Sequence, residues 1–408
     1  MACLSIGKRG ARIGAPLFPS FSIPILSLLL LACTPTHEKD EDRVRTEKKG
    51  IRSFDLSKNS YDAKNLDLHQ DYHKLYLINN NHSAYDKVNE LELYTFREQK
   101  LVTRIELLPD SVPFRRVHDI LYLNHDSIFF TRPGKNSFYH TLFVRMDRSG
   151  SIRSQWTFDG TDTEHPYAFW IGGGRLFAPL AYEKGHFYSP VFPAREQLDT
   201  SVYGIEHMAR ISLKEGNAPQ VELFASYPPI YAKADRHYLK ERELQRIPPL
   251  GTFDHAIADS SIVISYPLVD TLYRYNLNGR LVMKKAAKSR YASPQHFWDE
   301  LEQQGSELFK KKYPDKCQEL SHYFSIIHDP FRELYYRTVN LDGKHASLMI
   351  LGKELQVLKE LRFEKKAAPH PLPFHAPPIL SKKGLYIPLK NRKSLRFRIL
   401  RIERLQAS

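Results

Sequence analysis

Cysteine is scarce in this chain of 408 residues, which contains only Cys3, Cys33 and Cys317. A disulfide scaffold needs paired cysteines in the mature protein, and a thiolate zinc site needs several ligands. If Cys3 and Cys33 belong to a leader, Cys317 is alone, and we expect it to be a small buried apolar residue. The sequence therefore excludes a disulfide-stapled fold and a zinc site built from thiolates.

Long apolar runs and catalytic signatures are also missing. The apolar stretch at residues 21–32 is shorter than the ~20 residues that a helix needs to cross a bilayer. No nucleophile elbow, HExxH motif or P-loop is present, and Gly172-Gly173-Gly174 lacks the Lys and Ser or Thr of a P-loop, so it predicts a tight turn. The carboxylates Asp159, Asp162 and Glu164 follow a predicted strand end and suit a turn equally well as an acid–base pair.

Apolar and charged residues occur in the proportions of an ordinary folded protein, at 42% and 26%. The length fits two ordinary domains or one large repeat fold. A net charge of +14 can favour anionic partners. The basic residues are scattered, however, apart from the leader and the run Lys310-Lys311-Lys312. We interpret the charge mainly as a solvated surface and expect no nucleic-acid partner, because no nucleic-acid motif accompanies it.

Residues 1–32 have the three-part form of a lipoprotein signal peptide, with a basic region, an apolar region and a small residue before a cysteine. The sequence Leu30-Leu31-Ala32-Cys33 resembles the lipobox of bacterial lipoproteins, in which the cysteine is acylated, with palmitate among its acyl chains, and becomes the N-terminus. The alternative is an ordinary signal peptide with an accidental cysteine. We predict lipidation at Cys33 and a flexible tether over residues 33–49.

The predicted tether contains residues that resemble a localisation signal. Thr34 differs from the aspartate of inner-membrane retention signals, and Lys39-Asp40-Glu41-Asp42 resembles the export signal of surface lipoproteins in Bacteroidota. We expect a lipid-anchored protein of the bacterial outer membrane, displayed on the surface. The periplasmic face of that membrane is the alternative, and an acidic tether that serves only solubility is another.

Beyond residue 50, short alternating apolar segments separated by turn residues predict β-strands, and they come in sets of four. One set is His118–Asn124, Ser127–Arg132, Thr141–Asp147 and Ser151–Phe158. Similar sets begin at Asn65, His165, Phe253, His322 and Phe374, and the last has only three clear strands. In the third set, Arg175–Leu180 is predicted as the second strand, followed by an insertion at residues 181–205.

Four short antiparallel strands repeated at a pitch of about 40–50 residues are typical of a β-propeller blade. We predict an all-β fold over residues 50–408, a six-bladed β-propeller with four-stranded antiparallel blades and short helical insertions. An array of immunoglobulin-like sandwiches and two unrelated β domains are the alternatives. Residues 50–57 have no blade of their own, and we expect them to pair with residues 394–404 and close the ring as its last strand.

With the leader and the links Asn276-Leu277-Asn278-Gly279 and Asn340-Leu341-Asp342-Gly343, the chain resembles the uncharacterised six-bladed β-propeller lipoproteins of Bacteroidota, a TolB-like propeller group built on a domain of unknown function. The resemblance covers about residues 50–408. It supports the propeller fold, but it implies no catalytic residues, because that group has none established.

Three insertions interrupt the strand pattern: residues 181–205, rich in aromatics (Tyr182, His186, Phe187, Tyr188, Phe192 and Tyr203), residues 228–249 and residues 288–321. The second contains a predicted helix over Asp235–Arg246. The third contains a predicted helix capped by Ser293 and Pro294, with Phe297, Leu301 and Leu308 on its apolar face. Lids over the ring and plain surface decoration are both compatible with these insertions.

Histidines recur near the start of the predicted first strands, at His118, His165, His255 and His375. Because the first strand of a propeller blade lines the central channel, these four imidazoles are candidates for a ligand-binding site at the channel mouth, where they would bind a transition metal or a carboxylate. The alternative is that each caps its own blade. The metal, if any, is unknown, and no cofactor is expected.

The absence of catalytic motifs favours a non-enzymatic binding protein with a peptide, glycan or envelope protein as its partner. A propeller hydrolase or lyase acting on polysaccharide or peptide is the alternative. A cluster of His with Asp or Glu and shifted pKa values at the channel mouth would favour that enzyme.

Overall fold

The structure is a computed structural model that describes residues 44–46, 52–54, 66–71, 74–82, 89–95, 101–106, 119–133, 140–161, 167–169, 180–193, 204–233, 253–258, 260–304, 320–342, 344–364, 379–382, 384–389 and 395–402. Residues 44–408 form one compact unit. Strands dominate the described ranges, which also hold a helix, α1, at Gln295–Gln304 and a 3-10 turn at Pro229–Tyr231. None of the described helices is long and apolar enough to span a membrane.

The strands form antiparallel sheets that follow one another along the chain. The first two strands, β1 (Val44–Thr46) and β2 (Arg52–Phe54), belong to the last of these sheets. The first sheet contains β3 (Leu66–Asp71), β4 (Lys74–His82), β5 (Asn89–Thr95) and β6 (Leu101–Glu106). The second contains β7 (Asp119–Asn124), β8 (Ser127–Pro133), β9 (His140–Met146) and β10 (Ile152–Asp159). The third contains β11 (Tyr167–Phe169), β12 (Ala181–Glu183), β13 (His186–Pro193), β14 (Glu206–Ser212) and β15 (Gln220–Ser226).

The second half of the chain repeats this order. The fourth sheet contains β16 (Asp254–Ala258), β17 (Ser261–Ser265), β18 (Thr271–Asn276) and β19 (Leu281–Ala286). The fifth contains β20 (His322–Asp329), β21 (Leu334–Asn340), β22 (His345–Leu351) and β23 (Val357–Glu364). The sixth contains β24 (Ile379–Ser381), β25 (Gly384–Leu389) and β26 (Leu395–Ile402). The all-β class is confirmed, and each four-stranded meander is a β-propeller blade.

Apolar side chains fill the layers between consecutive sheets, so the sheets stack face to face in chain order. Tyr188 and Phe224 of the third sheet pack with Ile264 of the fourth. On the opposite side of the fourth sheet, Val263 packs with Tyr335 of the fifth. Similar layers lie between the second and third sheets and between the fifth and sixth. The inner strand β21 is buried along its whole length, whereas the outer strand β19 is largely exposed.

The connections divide the molecule into two faces, since turns in an antiparallel meander alternate between the two ends of its strands. We call the end with the first-to-second and third-to-fourth strand turns the short-turn face; its described turn residues are 125–126, 147–151, 184–185, 213–219, 260, 277–280, 330–333, 352–356 and 382. The other end is the long-loop face, named for the longer sequence intervals between the strands that end there; its described residues between strands are 160–161, 204–205, 227–233, 253, 266–270, 287–304, 320–321, 341–342 and 344.

Hydrogen bonds between sheets join like ends of the strands, which shows that neighbouring sheets share these two faces. On the short-turn face, Arg332 Nη2 donates to the Lys382 carbonyl at 2.8 Å. On the long-loop face, the Tyr323 hydroxyl donates to Asp270 Oδ1 at 2.5 Å. Three more such pairs are Ser154 with Glu215, Lys184 with Ser260, and His207 with Tyr266.

The predicted helix at residue 293 is confirmed. The Ser293 and Pro294 carbonyls accept hydrogen bonds from the first helical amides, at 3.2 and 3.0 Å. Phe297 and Leu301 are fully buried, as predicted, and so is Trp298, which the prediction left out. Leu308, Cys317 and the predicted helix at residues 235–246 lie outside the described residues.

The prediction for the third repeat was wrong. Its second strand is β13 at His186–Pro193, and the residues 181–205 assigned to an insertion include this strand. The aromatics at positions 187 and 188 are buried between sheets and form no lid. Pro190 and Pro193 lie in this strand, although proline inside an apolar run argues against a central strand.

The N-terminal segment pairs with the end of the chain, as predicted. Arg52–Phe54 runs antiparallel to β26, with Arg52 opposite Phe397. Val44–Thr46 pairs with the same strand, with Val44 opposite Ile402. Val44–Thr46 lies within the range predicted as a tether, residues 33–49, and forms a strand of the sixth sheet.

Candidate functional site

The long-loop face is the candidate site. The strands that border the long connections end there, and three of the predicted histidines stand in these connections in the sequence. His118, His165 and His375 directly or nearly precede β7, β11 and β24, and they lie outside the described residues, as does Cys33. His255 is the second residue of β16 and is described. The predicted grouping of four imidazoles therefore remains a prediction.

His255 is buried, and both its ring nitrogens lack a hydrogen-bond partner. Burial lowers the pKa of this imidazole to about 4, so the ring is neutral at pH 7. The carboxylate of the preceding Asp254 connects the fourth and fifth sheets. Its Oδ1 accepts from the His255 amide and its Oδ2 accepts from the Ile326 amide, both at 2.8 Å. His255 is thus chemically able to ligate a metal, but no group of three His, Cys, Asp or Glu side chains in the described part could hold one.

His322, the first residue of β20 in the fifth sheet, was missed, although it is also the first residue of a predicted strand. Its Nδ1 lies 2.8 Å from the Leu320 carbonyl, which only accepts, so Nδ1 carries the proton. Asn340 Nδ2 donates to the same carbonyl at 2.8 Å. This histidine caps its own sheet, as the alternative to ligand binding predicted.

An aromatic layer underlies the connection between the third and fourth sheets. His207 stacks on Tyr227, with ring centroids 4.2 Å apart. The Tyr266 hydroxyl lies 3.1 Å from the Ser226 carbonyl and 3.0 Å from His207 Nε2. Because a carbonyl only accepts, the hydroxyl donates to Ser226 and accepts from the imidazole. Burial lowers the pKa of His207 to about 3, so this ring is a neutral structural element.

The same layer extends to the helix. Tyr231 contacts Trp298 edge-on, with ring centroids 5.4 Å apart. The Tyr231 hydroxyl accepts from the Leu268 amide at 3.1 Å, and Trp298 Nε1 donates to the Leu268 carbonyl at 3.1 Å. Both polar aromatic atoms are therefore satisfied where they are buried. The described connection residues 227–231 and 266–270 are thus held by buried aromatic side chains.

Arg337 of β21 holds the loop at residues 266–270 in place. Its guanidinium is fully buried and uses all five donors: Nε to Ser265 Oγ at 2.9 Å, and Nη1 and Nη2 to four backbone carbonyls at 2.8–3.3 Å. It also lies over the Tyr323 ring, 3.4 Å from the centroid. Burial lowers the pKa of Arg337 to about 10, so it stays charged at pH 7.

A buried carboxylate performs the matching task for the connection at residues 287–321. Glu360 of β23 accepts from Ser289 Oγ and the Arg290 amide, both at 2.6 Å, and from Ser347 Oγ at 2.5 Å. Ser289 Oγ in turn accepts from two following amides. The described connection residues 266–270 and 289–292 are thus fixed by buried side chains of the fifth sheet.

Two partly exposed His–Asp pairs lie at the long-loop face. His140 Nε2 lies 2.8 Å from Asp159 Oδ2, and His345 Nδ1 lies 2.9 Å from Asp342 Oδ2. Hydrogen bonds from Thr161 lower the pKa of Asp159. Asp159 is the last residue of β10 and accepts turn hydrogen bonds from Thr161, which agrees with the turn interpretation of the carboxylates there. The other two, Asp162 and Glu164, lie outside the described residues.

One described Ser–His pair lies on the third sheet, near its short-turn end. Ser212 Oγ is 2.9 Å from His186 Nδ1, and Arg210 Nη2 is 3.0 Å from His186 Nε2. Because a guanidinium only donates, Nε2 is the acceptor, and Nδ1 carries a proton that it donates to Ser212. Burial and Arg210 also lower the pKa of His186. This tautomer cannot remove a proton from the serine, so the pair is not a nucleophile–base unit.

Comparison with known proteins agrees with this fold. Residues 42–362 match the domain of unknown function DUF4221. The chain belongs to the DUF4221 family. The crystal structure of a DUF4221 member from Bacteroides vulgatus is 16% identical and has a TM-score of 0.62, over 89% of this chain and 99% of that chain.

More distant structural neighbours include a streptogramin B lyase, 8% identical, with a TM-score of 0.37 over 88% of this chain and 98% of that chain. Another is the Dos1 propeller, 8% identical, with a TM-score of 0.33 over 71% of this chain and 55% of that chain. No curated protein is similar in sequence to this chain. The DUF4221 member from Bacteroides vulgatus supports the fold alone, and the family description assigns no activity.

Proposed function

We propose that this DUF4221 protein is a six-bladed β-propeller that binds a peptide, glycan or protein partner across its long-loop face, without catalysis. One observation carries the proposal: the strands that border the longest sequence intervals end on one face, where buried aromatic and charged side chains hold the described parts of the connections. A rigid scaffold that presents variable loops on one side is a common design of binding proteins.

The closed ring is supported by contacts between first strands. β3 lies next to both β7 and β24, so the first sheet adjoins the second and the sixth. Pairing of β1 and β2 with β26 completes the sixth sheet with strands from the N-terminus. A ring in which every blade has two neighbours leaves only short sheet edges in water.

The anchor is proposed on the sequence. Acylation of Cys33, after the signal peptide at residues 1–32, would tie the propeller to the outer membrane, with display on the cell surface. Mass spectrometry of the mature N-terminus tests this directly. An acylated cysteine is expected, and a free N-terminus at another residue contradicts it.

Binding across the long-loop face is tested with the purified protein on arrays of cell-envelope glycans, host glycans and peptides. Tyr291 is 45% exposed on that face, and Phe331 is 39% exposed on the short-turn face. These two positions are matched in side-chain type and exposure. For any ligand that the array identifies, Tyr291→Ala should weaken binding about tenfold, whereas Phe331→Ala should leave it unchanged. Equal effects of the two substitutions, or an effect of Phe331→Ala alone, would place binding elsewhere.

A further inference from the structure

The register of the first strand fixes where the chain enters the propeller. β26 is the third strand of its sheet, so it begins at the long-loop face and ends at the short-turn face. β1 runs antiparallel to it, with Val44 opposite Ile402 and Thr46 opposite Leu400. Val44 therefore lies at the short-turn face, and the segment that follows Cys33 joins the domain on that side.

The length of that segment limits how far the anchor can be from this face. Residues 33–43 separate the candidate acylation site from β1. At about 3.5 Å per extended residue, they reach at most roughly 40 Å. An acylated Cys33 would thus keep the short-turn face within reach of the bilayer, while the long-loop face lies at the opposite ends of the strands.

Large apolar side chains are exposed on this same side of the molecule. In the part of the chain that the structure describes, five such side chains are exposed, and four of them flank short turns: Tyr182 (40%), Leu281 (38%), Val282 (54%) and Phe331 (39%). Phe331 lies in the turn at residues 330–333, and Leu281 and Val282 directly follow the turn at residues 277–280. Aromatic and aliphatic side chains of this kind insert at the boundary between headgroups and acyl chains.

Basic side chains accompany them. Among described turn residues of the short-turn face, the exposed basic ones are Arg148, Lys184, Lys214, Arg280, Lys353 and Lys382. The exposed acidic ones are Asp126, Glu215, Glu333 and Glu354. Two of these acids already face arginines of the strands, at 3.9 Å for Glu215 and Arg145 and at 3.8 Å for Glu354 and Arg274. The remaining excess of positive charge complements anionic headgroups.

We infer that the short-turn face rests on the anionic phospholipid surface to which Cys33 is anchored, so that the long-loop face is held away from the membrane. The inference relies on the proposed lipid anchor. The bilayer is the occupant that fits, because the chain's own attachment point, the exposed apolar side chains and the excess of basic residues meet on one face. A binding face directed outward also gives a partner free access.

The test uses the full-length acylated protein on vesicles of phosphatidylethanolamine and phosphatidylglycerol, some carrying spin-labelled lipids. In a Cys317→Ser background, an environment-sensitive fluorophore is attached at Phe331→Cys or at Tyr291→Cys. Both positions are exposed, one on each face. We expect strong quenching by spin-labelled lipid at position 331 and none at position 291. Equal quenching at both positions, or quenching at 291 alone, overturns the inference.

The anchor and the orientation fail in different ways. Protein that does not sediment with the vesicles contradicts the proposed anchor. Protein that sediments but shows no quenching at position 331 contradicts the orientation alone. A change in the fluorescence of the label at position 331 in the absence of vesicles indicates that this face contacts another protein molecule. That result also overturns the inferred orientation.

A charge variant sharpens the result. Lys184→Gln with Lys382→Gln should lower quenching at position 331, because each lysine near an anionic surface contributes about 1 kcal/mol, or roughly fivefold in the docking equilibrium. The matched control, Lys344→Gln with Arg362→Gln, removes two exposed charges on other parts of the surface. It should leave quenching unchanged. Equal losses in both variants would show a non-specific effect of net charge and contradict a docked face.

Discussion

The two faces of this molecule fix their connections by different means. On the short-turn face, backbone conformation does so: Lys184, Ser260 and Glu333, in equivalent turns, have left-handed φ angles of 47°, 65° and 55°. On the long-loop face, buried side chains of the adjacent sheet do so, with Arg337 and Glu360 as the clearest cases. A turn fixed by its own backbone tolerates little change in length.

A connection held by a side chain from elsewhere has more freedom. Arg337 binds backbone carbonyls of residues 266–270, and it makes no demand on the side chains there. Sequence and length can therefore vary beyond the contact points. The difference would allow the described connections of the long-loop face to change in length while the turns of the other face stay short.

Removing the N-terminal strands should have the largest effect, since they touch both ends of β26. Deletion of residues 44–56 removes six residue pairs of the sixth sheet. At about 1 kcal/mol per hydrogen bond, the free energy of unfolding should fall on the order of 5 kcal/mol. Urea denaturation measures it, and deletion of residues 34–42 is the control. If both deletions have the same midpoint, β1 and β2 contribute nothing to the ring.

Arg337→Met tests the side-chain mechanism of the long-loop face. The variant leaves four carbonyls and Ser265 without a buried donor, and we expect a loss of about 3–5 kcal/mol in the free energy of unfolding. Arg362→Met is the matched control, since Arg362 is exposed and should change stability by no more than about 0.5 kcal/mol. Similar denaturation midpoints for both variants would contradict the assigned role.

The buried His255 should make the long-loop face sensitive to acid. Its pKa of about 4 lies below the value of about 6.5 in an unfolded chain. The unfolded chain therefore binds more protons, and the contribution to stability is complete above about pH 6.5 and lost as the pH falls towards 4.

In His255→Leu, the loss of stability between pH 6.5 and pH 4 should be smaller by on the order of 3 kcal/mol. Denaturation midpoints across this range measure it. The exposed His296 supplies the control substitution, His296→Leu, which should keep the pH profile of the parent. A profile unchanged by His255→Leu would mean that the imidazole is solvated or paired in solution.

Alanine substitutions at two glycines of the short-turn face distinguish the cost of backbone strain from the cost of steric crowding. Gly279 and Gly216 have φ angles of +78° and +75°, but a Cβ at Gly279 would lie 2.7 Å from Phe224 Cβ, whereas none of the surrounding atoms is within 4 Å at Gly216. Gly216→Ala should cost about 1 kcal/mol for the left-handed conformation. Gly279→Ala should cost about 2–3 kcal/mol, because crowding adds to it. Equal shifts in melting temperature would show that the phenyl ring moves aside freely.

Strands that alternate locally were predictable from the sequence. The four strands of the fifth sheet match their predicted segments closely, since apolar alternation and the link at residues 340–343 are local signals. The third sheet was not predictable in this way, because Pro190 sits inside a strand whose neighbours supply the pairing. Proline penalties are local, whereas the burial that outweighs them is not.

Of the candidate site, the sequence revealed the histidine positions but not the supporting contacts. The bond between Arg337 and Ser265 joins residues 72 positions apart, and no spacing rule marks either partner. Trp298 and Tyr266 resemble many other aromatics in the chain, so their burial under the loops has no sequence signal. Contacts between sheets depend on how the sheets stack, which single segments do not encode.

The pairing of Val44 with Ile402 means that the two ends of the folded unit are neighbours in space. Opposite residues in an antiparallel pair have Cα atoms about 5 Å apart. A short peptide can therefore join these ends, and new termini can be opened at an exposed turn such as the one at Gly216, where an added Cβ would have no atom within 4 Å. Such a circular permutant would keep every sheet while moving the start of the chain to another sheet.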